Sequence, residues 1–143
     1  MESNISTNSF NEVIEEEFAD DQPDETLHAA RLHKLMEETF GHKEFRSQQQ
    51  KEATLALSKG EDDIICIMPT GSGKSLVYQL AAVASQGKIT LVVSPLLALI
   101  MDQLKHLTAR NVVAETINSK MAIKERNRIK KDLISKNPRT VLH

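Results

Sequence analysis

The residues best suited to chemistry lie in one glycine-containing stretch, whose members are Thr70, Gly71, Ser72, Gly73, Lys74 and Ser75. Its two glycines allow the backbone to fold into a tight concave loop whose N–H groups point inward. Lys74 would add a positive charge, and the Ser75 hydroxyl is a suitable ligand for Mg²⁺. Because these two residues also open a helix, its positive end would face the same concavity. The stretch therefore predicts a cradle for nucleotide phosphates and Mg²⁺.

One position departs from the usual phosphate-loop pattern, G-x-x-x-x-G-K-[ST]. That pattern requires glycine at position 68, where this chain has Met68. The shorter core T-G-S-G-K-S still supplies the backbone donors. A glycine-rich turn that binds nothing is the alternative. The apolar run before the loop and the Lys-Ser pair in register after it favour the phosphate loop.

Alternating strands and helices are predicted to position this loop. Strands are predicted over residues 64–68, 89–93, 112–117 and 139–143, and helices over residues 74–85, 96–110 and 121–135. This alternation predicts an α/β fold with a parallel sheet and flanking helices, in which residues 64–68 form a buried central strand. Ligands of such sheets bind at the carboxyl ends of the strands. The glycine loop, Ser94-Pro95 and Asn118-Ser119 all fall at such ends.

Two further helices are predicted before the first strand. One extends from about residue 26 to residue 40 and ends at Gly41. Ser47 can cap the second, which ends at Gly60. Gln50 occupies the N3 position, where its side chain would close a capping box. From the residues alone, this cap is the preferred explanation of Gln50.

The composition excludes several classes of protein. At 143 residues the chain is long enough for one domain with a hydrophobic core. Its single cysteine, Cys66, lies in an apolar run, which predicts a small buried hydrophobic residue in a reducing compartment. The N-terminus shows no signal peptide, and no apolar stretch approaches the roughly 20 residues of a membrane span. We therefore expect neither a disulfide scaffold nor a membrane protein.

The formal net charge of −2 conceals an asymmetry. Residues 1–27 contain nine acidic residues and no Lys or Arg, which leaves 18 basic and 11 acidic residues in the remainder. Residues 1–25 are predicted to be a disordered acidic tail. The basic remainder is compatible with a polyanionic partner. One face of the last helix carries four basic residues, for which a solvated surface is favoured over contact with DNA phosphates: Lys120, Lys124, Arg128 and Lys131.

Three segments together resemble the first motifs of RecQ-type DNA helicases. They are F-G-H-K-E-F-R-S-Q-Q-Q (40–50), M-P-T-G-S-G-K-S-L-V-Y-Q-L (68–80) and V-V-S-P-L-L-A-L-I-M-D-Q (92–103). The region around residues 117–126 is similar to the number-five subgroup. The resemblance covers residues 27–143 and implies a RecA-like lobe that binds ATP, Mg²⁺ and single-stranded or forked DNA. It also implies a 3′-to-5′ helicase that acts in DNA repair and recombination in the nucleus.

The resemblance assigns the first motif to recognition of adenine. Arg46 and His42 would stack on the two faces of the base, and a glutamine would hydrogen-bond its edge. That glutamine is Gln50 if the position is counted back from Gly60, or Gln49 if it is counted from Phe45, as in some members of the family. A capping role and an adenine role can coexist at Gln50.

The other two motifs would hold phosphate and DNA. Four residues match the family's phosphate and Mg²⁺ motif: Gly71, Gly73, Lys74 and Ser75. Thr70 precedes them, and Ser72 lies between the two glycines. Lys74 and Ser75 are the expected catalytic residues. Ser94 and Pro95 match the start of the motif that contacts the DNA backbone. We expect Asn118 and Ser119, at the same predicted edge of the sheet, to contribute to that contact.

Parts of the family pattern are missing from the 143 residues. Ala81 stands where the family usually has proline. No acidic segment follows an apolar strand, so the carboxylate that holds the metal in phosphoryl transfer is not found. We therefore expect residues 26–143 to be the front part of the first RecA-like lobe of a larger helicase, inactive alone. Two alternatives stay open: a small phosphate-loop kinase, and a short non-catalytic chain that binds nucleotide or a partner.

Overall fold

The computed structural model describes residues 23–60, 63–85, 87–135 and 141–142. These residues belong to two compact units, of which the first ends at Arg31 and the second begins at Leu32. The elements in this part of the chain are α1 (Pro23–Leu35), a π-helical turn (Met36–Phe40), α2 (Gln48–Lys59), α3 (Lys74–Ala84), β1 (Thr90–Leu91), α4 (Leu97–Thr108), β2 (Ala114–Glu115), α5 (Ile123–Leu133) and β3 (Val141–Leu142). None of these described helices has the length and apolar character needed to cross a membrane.

The predicted helices are present, and they end close to the residues that the sequence indicated. Gly41 and Gly60 follow helical segments with φ angles of 72° and 69°. This left-handed conformation carries little steric penalty for glycine. Asn111, which ends the turn after α4, has a φ of 59°. Residues 1–22 of the predicted acidic tail lie outside the described residues. The last three residues of that prediction, 23–25, belong to α1, which begins at Pro23.

The core of the second unit forms around α3. It contains eight buried apolar residues: Leu32, Met36, Phe40, Leu76, Leu80, Ala82, Ala84 and Leu107. Leu80 and Met36 are completely shielded from solvent. On α3, buried residues occupy a wide stripe rather than a narrow face, as expected for a helix covered on more than one side. The start of α3, where the glycine loop ends, is therefore held by the core.

The predicted buried strand at residues 64–68 is wrong. These residues adopt no regular secondary structure. Ile65 and Ile67 are each 89% exposed, and Cys66 is exposed rather than buried, whereas Met68 is buried. A central parallel strand needs hydrogen-bonded neighbours and cover on both faces. No strand in the described part of the chain pairs with this segment, so the side chains of Ile65, Cys66 and Ile67 stay exposed.

Three short strands pair in the parallel direction. β3 lies between β1 and β2, with Val141 opposite both Thr90 and Ala114. Each strand has only two residues, and Leu91 and Val93 in the predicted second strand are 65% and 88% exposed. Pairings of this length do not form a sheet layer, so the predicted parallel sheet is not confirmed. Strand burial depends on elements that cover both faces, and a strand's own residues do not specify them.

Candidate functional site

The glycine loop is a tight turn at the N-terminus of α3. Ser72 N donates to Pro69 O at 3.3 Å, and Ser72 Oγ donates to the same carbonyl at 2.7 Å. Gly71 and Gly73 have φ angles of 80° and 87°. Residues with a Cβ adopt these angles only with a steric penalty. The first N–H groups of α3, which lack partners within the helix, follow directly.

Gly73 is required by a contact as well as by its conformation. It is the N-cap of α3, and its carbonyl accepts from Leu76 N at 3.1 Å and from Gln50 Nε2 at 2.9 Å. A Cβ added at position 73 would overlap Gln50 Nε2 and lie 3.5 Å from Arg46 Cδ. A Cβ at Gly71 would meet nothing within 4 Å. The close approach of α2 to the loop therefore depends on glycine at position 73.

Gln50 joins the segment before α2 to the glycine loop. It is completely buried, its Oε1 accepts from Arg46 N at 2.7 Å, and its Nε2 makes the bond to Gly73. Ser47 Oγ accepts from Gln50 N at 3.1 Å, as predicted for the helix cap. The predicted capping box differs, because the Gln50 side chain bonds Arg46 N instead of Ser47 N. Gln49 is exposed, so Gln50 is the glutamine beside the loop.

Two cationic side chains contact carbonyl groups of the loop. Arg46 Nη1 donates to Gly71 O at 2.9 Å. Lys74 Nζ donates to Met68 O at 2.8 Å and to Pro69 O at 3.0 Å. An ammonium group has three N–H donors. One donor of Lys74 therefore remains for a phosphate oxygen beside the start of α3.

A cavity of about 230 Å³ lies next to the loop and is lined by three parts of the chain. Residues 40–50, which extend from the end of the π-helical turn to the first turn of α2, contribute Phe40, His42, Glu44, Arg46 and Gln50. The start of α3 contributes Gly73, Ser75, Leu76 and Gln79. The helix α4 and the turn after it contribute Leu99, Asp102, Gln103, His106 and Arg110. This volume is below the roughly 300–1,000 Å³ that is typical of small-molecule sites.

The cavity gathers residues that the sequence placed in separate motifs. His42, Arg46 and Gln50, the predicted adenine residues, line it together with Gly73 and Ser75. The side of the cavity formed by α4 was missed by sequence reasoning. Its members recur at helical spacing, which indicates a shared face, but that pattern does not reveal what the face meets.

Among the described residues, those predicted to contact DNA do not line this cavity. Ser94 Oγ is buried and has no hydrogen-bond partner among the described residues. Asn118 Oδ1 accepts from Lys120 N at 3.0 Å, and Asn118 O accepts from Arg126 Nη2 at 3.2 Å. Pro95 and Ser119 are exposed. Their role in DNA contact stays a prediction.

The basic face predicted on α5 is partly neutralised. Arg128 Nη2 donates to Glu125 Oε1 at 2.7 Å and to Glu115 Oε2 at 3.1 Å. The hydrogen bond from Arg128, followed by its charge, lowers the pKa of Glu125 below its ordinary value. The bonds to the two carboxylates raise the pKa of Arg128. One of the four predicted basic residues is therefore engaged within the protein, which favours a structural role for it.

Comparison with known proteins identifies the family of this chain. The family model for DEAD/DEAH box helicases matches residues 47–143, which include the glycine loop and the whole of α2, α3, α4 and α5. The chain belongs to the DEAD/DEAH box helicase family. Membership of this family gives the chain a RecA-like α/β fold class, even though the sheet layer itself is not confirmed among the described residues.

Within the DEAD/DEAH box helicases, the chain is similar to RecQ-type proteins. It is 46% identical over 112 residues to "ATP-dependent DNA helicase Q5" of Mus musculus, a match covering 78% of this chain and 11% of that protein. It is 37% identical over 101 residues to "ATP-dependent DNA helicase RecQ" of Haemophilus influenzae, covering 71% and 16%. With "ATP-dependent helicase SGS1" of Saccharomyces cerevisiae it shares 42% over 106 residues, covering 72% and 7%. The RecQ resemblance is confirmed, and the chain spans about a tenth of the length of these relatives.

Proposed function

We propose that this chain is the N-terminal part of an ATP-dependent 3′-to-5′ DNA helicase of RecQ type. It binds ATP and Mg²⁺ at the glycine loop, and single-stranded or forked DNA at the loops after β1 and β2. Its relatives are named as ATP-dependent DNA helicases. DNA repair and recombination in the nucleus are part of the same proposal. The observation that carries it is the hydrogen-bonded contact of Arg46 and Gln50 with the glycine loop, which joins two motifs into one site.

The residues beside the loop fit a nucleoside triphosphate. The N-terminus of α3 and the remaining donor of Lys74 favour an anionic phosphate. Arg46 and His42 offer planar cationic and aromatic groups that can stack on a base. Gln50 uses one amide N–H and one lone pair within the protein, which leaves one of each for the edge of adenine. Because Gln50 is completely buried, binding of a base requires the surrounding segment to adjust.

Ser75 is the proposed protein ligand of Mg²⁺. When bound, this ion neutralises negative charge on the nucleotide phosphates. No group of three or more His, Cys, Asp or Glu side chains that could hold a metal occurs among the described residues. A hard oxygen ligand such as the Ser75 hydroxyl, combined with phosphate oxygens, suits Mg²⁺ because this ion usually takes few protein ligands. The role of Lys74 is to hold the phosphates in position.

Ser94, Pro95, Asn118 and Ser119 are the proposed DNA contacts. The first pair follows β1 and the second follows β2, and both strands are parallel to β3 between them. The carboxyl ends of these strands therefore point toward the same edge, where ligands of α/β folds bind. This arrangement supports a DNA contact that both loops share.

Nucleotide binding by the 143-residue chain tests the proposal. A fluorescent ATP analogue should bind in the presence of Mg²⁺, and Lys74→Ala should weaken binding about tenfold or more, because a charge-assisted hydrogen bond to phosphate is lost. Lys88→Ala, at an exposed site outside the loop, is the matched control and should bind like the wild type. Equal affinity of wild type and Lys74→Ala would overturn the phosphate-loop assignment.

Nucleotide turnover separates the helicase from the alternative of a non-catalytic chain. We expect the 143 residues alone to bind ATP without measurable hydrolysis. A longer RecQ-type protein that contains them should hydrolyse ATP, and single-stranded DNA should stimulate this reaction. Binding without DNA-stimulated hydrolysis in the longer protein would favour the non-catalytic alternative.

A further inference from the structure

One side of the cavity is formed by α4, and no role has been assigned to it. The lining residues of this helix share one face, and they line the same cavity as the predicted adenine residues His42, Arg46 and Gln50. Among them, Asp102 presents a carboxylate whose side chain is 62% exposed. A carboxylate accepts hydrogen bonds and donates none. It therefore suits ligand groups that carry O–H donors.

The position of α4 against the nucleotide-binding helix is fixed by buried contacts. Ile100 and Leu107 are buried on α4, with 7% and 1% exposure. Gln103, which follows Asp102 directly, is also buried, and its Oε1 accepts from Tyr78 OH of α3 at 2.9 Å. Leu107 belongs to the same buried cluster as Leu76 and Leu80 of α3, so this cluster and the hydrogen bond from Tyr78 hold α4 beside α3. Asp102 is therefore placed by α3, whose N-terminus forms the phosphate end of the site.

The parts of a nucleotide can be assigned to the cavity by their chemistry. Phosphates belong at the start of α3, where Gly73 and Ser75 lie. A base belongs between Arg46 and His42, beside Gln50. The ribose connects these two ends, and its hydroxyl groups are donors that need acceptors. The lining contains two carboxylates, Glu44 and Asp102. Glu44 lies in the same short segment as the proposed base-stacking residues, whereas Asp102 lies on the separate helix α4.

We propose that the Asp102 carboxylate of α4 accepts hydrogen bonds from the ribose hydroxyls of the bound nucleotide. This inference rests on the proposed nucleotide-binding function and extends it, since it makes α4 the wall that distinguishes ribose from deoxyribose. His106 lies one turn further along the helix, with its Nε2 3.9 Å from Asp102 Oδ1. It is a second polar group that lines the cavity at this position.

The test compares ATP with 2′-deoxy-ATP and 3′-deoxy-ATP on the full 143-residue chain, by fluorescence competition or calorimetry. Wild type should bind ATP about tenfold more tightly than at least one deoxy analogue, the size expected for a hydrogen bond to a charged group. Asp102→Asn should reduce this preference to about twofold or less. The ratio is the relevant readout, because removing a negative charge also reduces repulsion of the phosphates and can raise the affinity for every nucleotide.

A control variant makes the result decisive. Glu44→Gln removes the other carboxylate of the lining and should keep the wild-type preference. A preference that persists in Asp102→Asn, that disappears in Glu44→Gln, or that is absent from wild type overturns the assignment of Asp102. These outcomes leave the proposed function intact as long as ATP itself binds. Failure of wild type to bind ATP at all overturns both the proposed function and this inference. Circular dichroism and a thermal unfolding curve establish that each variant is folded.

Discussion

Gln50 shows how one side chain can have a local and a distant role at once. Its backbone N–H completes the cap made by Ser47, while its amide bonds Arg46 on one side and Gly73 on the other. The sequence pattern predicted the cap but could not choose between Gln50 and Gln49 for the second role. The choice depends on which residue of α2 faces the loop, and that is a property of packing between distant segments.

Gly73→Ala should weaken nucleotide binding and destabilise the fold more than Gly71→Ala. Both positions have positive φ, so alanine at either should cost on the order of 1–2 kcal/mol of strain. Only at position 73 would the new Cβ also displace Gln50. Urea denaturation and binding of a fluorescent ATP analogue would measure the difference. Equal losses of stability and of nucleotide affinity in the two variants would show that the contact between position 73 and Gln50 has no energetic importance.

Gln50→Ala should lower the free energy of unfolding by about 1–3 kcal/mol, because it leaves the partly buried N–H of Arg46 without its acceptor and removes one of the two hydrogen bonds to Gly73 O. Gln49→Ala, at an exposed position, should change it by about 0.5 kcal/mol or less. Gln50→Ala should also weaken ATP binding more than GTP binding if Gln50 reads adenine. Equal weakening of ATP and GTP would limit Gln50 to a structural role.

At the scale of elements, helices were predictable, whereas strands were predictable only in part: β1, β2 and β3 lie within the predicted ranges 89–93, 112–117 and 139–143, but no strand forms at 64–68. Capping residues and glycines mark the ends of a helix within its own sequence, so Ser47, Gly41 and Gly60 fixed boundaries correctly. The apolar run at 64–68 predicted a buried strand, but burial requires neighbouring strands, and Ile65 and Ile67 are exposed. The contribution of α4 to the cavity was also not predictable, because it arises from the way α4 packs on α3.

The ion pair between Arg128 and Glu125, both on α5, should make stability depend on pH. Arg128 lowers the pKa of Glu125 in the folded chain. A lowered folded pKa stabilises the protein above the ordinary value of 4.5, and this contribution is lost as the pH falls below it. Urea unfolding at several pH values between about 6 and 3 should therefore show a smaller decline for Glu125→Gln than for wild type.

A suitable control for this effect is Glu37→Gln, at an exposed position in the π-helical turn. It should keep the wild-type dependence on pH. The contribution of Glu125 is expected to be small because the pair is exposed to solvent, which screens the interaction. Identical profiles for wild type and Glu125→Gln would contradict the prediction.

Among the described residues, several large apolar side chains outside the helices are exposed to solvent. Ile65 and Ile67 precede the glycine loop, and Leu91 and Val93 lie in and after β1. Extended segments with apolar side chains and unpaired backbone groups favour pairing with another chain. The purified 143 residues should therefore self-associate as their concentration rises and should bind hydrophobic dyes.

Replacing both Ile65 and Ile67 with threonine should reduce self-association and dye binding, measured by analytical ultracentrifugation and fluorescence. Leu27→Thr is the control, since Leu27 is 70% exposed but lies in α1, where the helix satisfies its own backbone groups. It should leave both measurements near their wild-type values. A double variant that associates as strongly as wild type would place the responsible surface elsewhere.

The helix α4 begins two residues after Pro95, and further along it lines the cavity beside the glycine loop. Twelve residues of α-helix measure about 18 Å, so the proposed DNA contact and the proposed ribose contact sit on one short, stiff body. Reciprocity follows from this arrangement. If DNA at one end of the helix alters the affinity for nucleotide at the other, then nucleotide must alter the affinity for DNA by the same factor, because both belong to a single thermodynamic cycle.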